Sequence, residues 1–202
     1  MRLGLYGGTF DPIHLGHLIL AEACREACEL DRVWFVVSGS PPHKPEGRTA
    51  VDHRVEMVRL AVAGHPAFEV SEIETRRPGP HYSVDTLEVI RRERPEDELF
   101  FLIGADSLVD LPHWREPGQI LRMATLVVAN RPGFEPTLPE LPAGARPIRR
   151  VTIPPIGLAS HEIRRRRREG RSIRYQVPRA VEAYIEAHGL YPPEVASGPD
   201  RG

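Results

Sequence analysis

The sequence predicts a doubly wound, mostly parallel α/β sheet with flanking helices and a small C-terminal helical extension. Three observations predict it. Short apolar runs alternate with amphipathic helical stretches along most of the 202 residues. Two of the runs, Arg32 to Ser38 (RVWFVVS) and Leu99 to Ile103 (LFFLI), are continuously apolar, the pattern of strands covered on both faces. The length suits one domain that buries about 70% of its unfolded surface, so a full core needs no staples.

Leu3 to Tyr6 reads as the first strand, ending in Gly7-Gly8. Residues 15–28 read as a helix with Leu15, Leu18, Ile19 and Ala23 on one face. After the strand at 32–38, the proline-rich stretch 41–49 reads as a loop. Val51 to Ala63 is helical and Phe68 to Ile73 a short strand. Ser83 to Arg92 is helical, with Ser83 as the expected N-cap. Leu99 to Ile103 ends at Gly104, and Leu126 to Ala129 is a further strand. Residues 131–147 form a proline-rich loop before a last strand, Ile148 to Ile153. Helices follow near 160–168 and 178–188, with Pro178 in the first turn of the second. One domain is expected over 1–190. Pro192, Pro193, Gly198 and Pro199 make 191–202 an expected disordered tail.

Composition narrows the class. Hydrophobic residues are 41% and charged residues 27%, ordinary globular values that exclude a disordered, collagenous or disulfide-framework protein. Lys+Arg is 27 and Asp+Glu 28, so the net charge of −1 argues against a basic nucleic-acid coat. Lys44 is the only lysine and there are 21 prolines, a composition that suits a heat-tolerant or high-GC host. Cys24 and Cys28 are too few for a secreted scaffold and lack the partners of a zinc site. They read as buried small apolar residues in a reducing cytosol. No signal peptide opens the chain, and no apolar run approaches the ~20 residues that span a bilayer. A soluble, cytoplasmic protein is expected, with no membrane partner and with a homo-oligomer allowed. Arg164 to Arg168 would spread over all faces of a helix. Arg164 is therefore expected in the site and the others solvated or paired with Glu162 and Glu169, with no nucleic-acid partner.

In open parallel sheets ligands bind beyond the carboxyl ends of the strands. After the first strand comes Gly7-Gly8-Thr9-Phe10-Asp11-Pro12-Ile13-His14-Leu15-Gly16-His17. This is neither a dinucleotide fingerprint nor a Walker phosphate loop. It does combine close-approach glycines with a helix N-terminus, the parts of an anion site. His14 and His17, three apart, project to one side of a helical turn. Gly16 between them leaves bare backbone against which a flat base could lie. Leu15 and Gly16 in the intervening positions do not suit a zinc-protease metal pair, and no metal ligands are assigned.

GGTFDPIHLGHL resembles the glycine-rich turn and HxGH element of the nucleotidyltransferase superfamily related to class I aminoacyl-tRNA synthetases. Within it the chain is similar to the bacterial nicotinate-nucleotide adenylyltransferases. The resemblance continues in order through Pro41-Pro42-His43-Lys44, Tyr82-Ser83-x-x-Thr86-Leu87 and Ile103-Gly104-Ala105-Asp106-Ser107-Leu108, then Trp114. It runs on through Arg131-Pro132-Gly133, Ser160-x-x-Ile163-Arg164 and Tyr175-x-Val177-Pro178-x-x-Val181. One departure stands out: Ala159-Ser160-His161-Glu162-Ile163-Arg164 stands where the family usually has Ser-Ser-Thr-x-Ile-Arg; Ser160 and Arg164 remain, so the departure bears on the detailed phosphate contacts of that loop and not on the reaction class.

The resemblance implies a Rossmann-like fold and adenylyl transfer from ATP to nicotinate mononucleotide. The products are deamido-NAD and pyrophosphate, in NAD biosynthesis, by direct in-line displacement. It implies that His14 and His17 donate to the ATP phosphates and that Arg164 neutralises departing pyrophosphate. Gly7, Gly8, Thr9, Phe10, Gly16, Gly104, Asp106, Ser160 and Ile163 would form the ATP side. Lys44, Thr86 and Trp114 would form the mononucleotide side, at its phosphate, its carboxylate and its ring. Mg²⁺ would ride on the ATP phosphates, keeping most of its waters. The alternatives are a sister transferase with another acceptor, or a non-catalytic nucleotide- or RNA-binding regulator.

Overall fold

A computed structural model of the chain describes residues 1–39, 49–130, 133, 137 and 142–193. The elements in order are β1 (Arg2–Gly8), α1 (Leu15–Ala27), β2 (Arg32–Val37), α2 (Val51–Val62), β3 (Phe68–Ser71), α3 (Ser83–Glu93) and β4 (Glu98–Gly104). Then come α4 (Ala105–Asp110), a 3-10 turn at Leu111–His113, α5 (Pro117–Met123), β5 (Thr125–Asn130), β6 (Arg149–Thr152), α6 (Ser160–Arg168) and α7 (Arg179–Ala187). The six strands lie in the order β3-β2-β1-β4-β5-β6, and every neighbouring pair is parallel. The chain builds outward from β1 through β2 to β3, then returns to the other side of β1 with β4. That reversal opens a crevice at the β1/β4 carboxyl ends.

The two-residue period of a strand divides the core between the two faces of the sheet. Leu3 and Leu5 of β1, Phe101 and Ile103 of β4 and Val128 of β5 pack with Val84, Leu87 and Ile90 of α3 and Ile120 of α5. Tyr6, Phe35, Phe100, Leu102 and Val127 point the other way. They pack with Leu20 and Cys24 of α1, Val55 and Val58 of α2 and Val181 and Ile185 of α7. Burying each such side chain is worth about 1.5–3 kcal/mol. Covered faces on both sides explain why β2 and β4 are continuously apolar. Ile163, 0% exposed, joins the second cluster and seats α6 against it. Among the described residues no helix is long and apolar enough to cross a membrane.

Several local expectations are corrected. Ser83 is the first helical residue of α3; Tyr82 takes the N-cap position and makes no side-chain cap bond. Pro178 likewise precedes α7 as its N-cap. The buried face of α1 is Leu20, Ala21 and Cys24, while Ile19 is 39% exposed. α4, the 3-10 turn and α5 occupy a stretch without an expected element. Both cysteines are free and buried, and burial pushes the Cys24 thiol up to about 12, so it is inert at neutral pH. At the start of the expected tail, Tyr191 is only 7% exposed. Residues 194–202 lie outside the described residues.

Candidate active site

The loop between β1 and α1 is built by its own side chains and held from behind. Phe10 takes a left-handed backbone with φ of 49° and folds its ring back over Gly8. A Cβ on Gly8 would lie 2.8 Å from that ring, so position 8 must be glycine for the turn to close. At Gly7 a Cβ would meet nothing within 4 Å, so bare backbone faces open space. The guanidinium of Arg54, 2% exposed, donates to the Thr9 carbonyl at 2.9 Å and the Ser38 carbonyl at 2.7 Å, tying the ends of β1 and β2 together. Ser160 Oγ donates to the Pro12 carbonyl at 2.9 Å, and Arg164 to the Asp11 carbonyl at 2.6 Å. Thus α6 is docked onto the loop by the side chains expected to serve the site.

His14 is the N-cap of α1 and His17 its third helical residue. His17 Nδ1 accepts the His14 backbone N–H at 3.1 Å, which assigns the proton of a neutral His17 to Nε2. The two rings stack with centroids 3.6 Å apart, as their spacing requires. They are not equivalent. His17 lines the main cavity, whereas His14 is 6% exposed and stands behind it. Burial lowers the His14 pKa to about 4, so it is neutral at pH 7. Its Nδ1 has no hydrogen-bond partner among the described residues. A Cβ on Gly16 would sit 3.1 Å from the His14 ring and 3.4 Å from Ile156. The expected resting place for a base is therefore filled by His14, and the glycine serves that packing.

The main cavity, about 910 Å³, lies over the carboxyl ends of β1 and β4. Gly7, Gly8, Thr9, Phe10 and His17 form one wall, Gly104 and Asp106 a second, and Ser160 and Arg164 a third. Residues far apart in the sequence thus share one cleft, as the reading of His17 with Arg164 requires. His161, the departure from the family pattern, also lines it. Arg164 turns inward. Arg165 pairs with Glu162 at 2.6 Å, and Arg166 donates to the Ser172 carbonyl at 2.8 Å. Trp114 also lines the cavity, and its ring meets Phe101 edge-on at 6.0 Å.

Two expected contacts fall elsewhere. Thr86 is 6% exposed and behind the wall. Its hydroxyl donates to Glu74 at 2.8 Å and accepts from Arg77 at 3.3 Å, so it orders Glu74, which does line the cavity. The Ile163 side chain is in the core. Lys44, with Pro41, Pro42 and His43, lies outside the described residues, as do Arg131 and Pro132. Glu74, His81 and Arg115 line the cavity without having been expected there. His81 Nε2 bonds the Arg77 carbonyl at 3.0 Å. Arg115 lies 4.7 Å from the Tyr82 ring centre and 3.6 Å from Asp85. Arg115 is thirty positions from Asp85, and no local signal in the sequence joins them.

Residues 5–166 match the cytidylyltransferase-like family. A Thermus thermophilus protein described as "Probable nicotinate-nucleotide adenylyltransferase" is 53% identical over 191 residues, covering 95% of this chain and 100% of that protein. A Thermomicrobium roseum protein of the same description is 52% identical over 196 residues, covering 94% and 91%. The solved structure of Plasmodium falciparum nicotinic acid mononucleotide adenylyltransferase complexed with NaAD superposes with a TM-score of 0.77 at 19% identity, covering 94% of this chain and 97% of that one; it bears on the fold alone. The cleft at the β1/β4 switch and these relatives agree: the chain belongs to the cytidylyltransferase-like family and, within it, to the nicotinate-nucleotide adenylyltransferases.

Proposed function

We propose that this chain transfers the adenylyl group of ATP to nicotinate mononucleotide, giving deamido-NAD and pyrophosphate. The observation that carries the reading is one cavity joining His17, the bare Gly7 backbone and Arg164 to the Trp114 end. The nucleophile, a phosphate oxygen of the mononucleotide, is already an anion at neutral pH. It attacks the α-phosphorus; the new P–O bond forms as the bond to the β-phosphate oxygen breaks, and pyrophosphate leaves with the electron pair. No proton has to move, so no general base is required. The work left to the protein is alignment and charge stabilisation.

The residues suit that division. His17 Nε2–H donates to the phosphates, with its tautomer held by the His14 backbone N–H. His14, neutral and stacked behind, fixes the plane of the His17 ring. Arg164 spends one N–H on the Asp11 carbonyl and turns the rest of its fork toward departing pyrophosphate. Asp106, in the first turn of α4, takes the ribose hydroxyls. Magnesium enters as part of the MgATP substrate. Among the described residues no group of three or more His, Cys, Asp or Glu is placed to hold an ion. At the far end Trp114 stacks on the pyridine ring. The start of α3 at Tyr82 and Ser83 and the Arg115 guanidinium supply a positive field for the nicotinate carboxylate, which an amide does not exploit.

The test is pyrophosphate release from ATP with nicotinate mononucleotide, nicotinamide mononucleotide and pantetheine phosphate in parallel, with the dinucleotide identified by mass. Deamido-NAD formed in step with pyrophosphate, and a higher kcat/KM for the acid, is the expected result. Release with another acceptor alone overturns the assignment.

A further inference from the structure

The sequence treats residues from 191 onward as a tail, yet Tyr191 is inserted into the protein. The chain leaves α7 through Gly189 and Tyr191, both with left-handed backbone (φ of 58° and 53°). Leu190 N–H bonds the Ile185 carbonyl at 3.0 Å to close the turn. The Tyr191 hydroxyl then donates to Asp11 Oδ1 at 2.6 Å, in a contact buried on both sides. Burial, followed by the Asp11 charge, pushes the phenol well above its usual range, so it remains a proton donor at any working pH. Thr49 makes a further hydrogen bond to the phenol. Asp11, 5% exposed, also lends its carbonyl to Arg164.

Packing alone does not explain the hydroxyl, because a phenylalanine would fill the same space. What the hydroxyl adds is a partner for a buried carboxylate in the wall of a cleft that must receive a triphosphate. A carboxylate free to swing into that cleft would repel the substrate, and the same swing would shift the carbonyl that anchors Arg164. Resting on the adenylyl-transfer reading, we propose that Tyr191 is a positioning residue. Its hydroxyl holds the Asp11 carboxylate off the triphosphate and so keeps Arg164 aimed at the departing phosphates.

The experiment separates this inference from the reading beneath it. Turnover of the wild-type protein with nicotinate mononucleotide tests the reaction. The affinity of a non-hydrolysable ATP analogue, measured by calorimetry without acceptor, tests Tyr191. Tyr191→Phe is expected to weaken analogue binding by about tenfold, the factor for one charge-assisted hydrogen bond. Thr49→Val, which removes the other bond to the phenol, stays within twofold of wild type. Adding Asp11→Asn to Tyr191→Phe removes the freed charge and restores affinity to within threefold of wild type. That double variant has no unpaired buried charge, so it reads the proposal even if the single variant does not fold. Tyr191→Phe binding within twofold of wild type, whatever its Tm, overturns the inference, and so does a double variant that remains tenfold weaker.

Discussion

The buried His14 makes the stability of this protein depend on pH in a window that can be worked out. Its pKa is lowered to about 4 in the folded chain, chiefly by burial, against about 6.5 for an unfolded histidine. The unfolded chain therefore takes up a proton first as pH falls, and the folded chain follows only near pH 4. Stabilisation by the neutral ring is complete above pH 6.5 and is lost progressively between 6.5 and 4. Integrating over those two pKa values gives a loss of about 2 kcal/mol between pH 8 and pH 5. Urea unfolding of wild type and His14→Asn at both pH values measures it. Asn cannot take the proton, so the variant lacks this part of the pH dependence. Wild type should lose about 2 kcal/mol more than the variant on going to pH 5. Parallel losses in the two proteins would refute a buried neutral ring behind His17, and with it the stacked pair as the support for the His17 donor.

Two further outcomes follow from the two ends of the cleft. His17→Ala should remain folded, with kcat lower by roughly 10²-fold or more, the usual cost of deleting a charge-stabilising donor; steady-state pyrophosphate release checks it, and an unchanged kcat removes His17 from the reaction. Trp114→Ala should raise the KM for nicotinate mononucleotide more than that for ATP, because the proposed role of this cavity-lining ring is to stack on the pyridine; the reverse order places the pyridine ring elsewhere.

Much of this architecture was legible because strong local signals coincided. Two continuous apolar strands demanded coverage on both faces, and β4 lies deep in the sheet between β1 and β5. GGTFDPIHLGHL marked a strand end, a tight turn and a helix start in a dozen residues, and the turn depends on Gly8 accommodating Phe10. The i,i+3 spacing brought His14 and His17 into a stack but could not say which ring faced the cavity. That depends on His14 occupying the N-cap and on Gly16 leaving room for it. Short α4 and α5 carry too few turns to show a helical period. Thr86 looked like a ligand donor, since nothing in its neighbours' order reveals that Glu74, twelve positions earlier, accepts its hydrogen bond. Tyr191 was hidden by the prolines that follow it, and the partner that buries it is at the opposite end of the chain.

The central claim is a single in-line displacement in a cleft that only aligns and neutralises, with no bond formed between the protein and the adenylyl group. The stereochemical course at the α-phosphorus tests it most directly, using ATP made chiral there by a sulfur substitution. Inversion in the dinucleotide product is the predicted result. Retention would require two displacements through an adenylylated side chain, and would contradict the account.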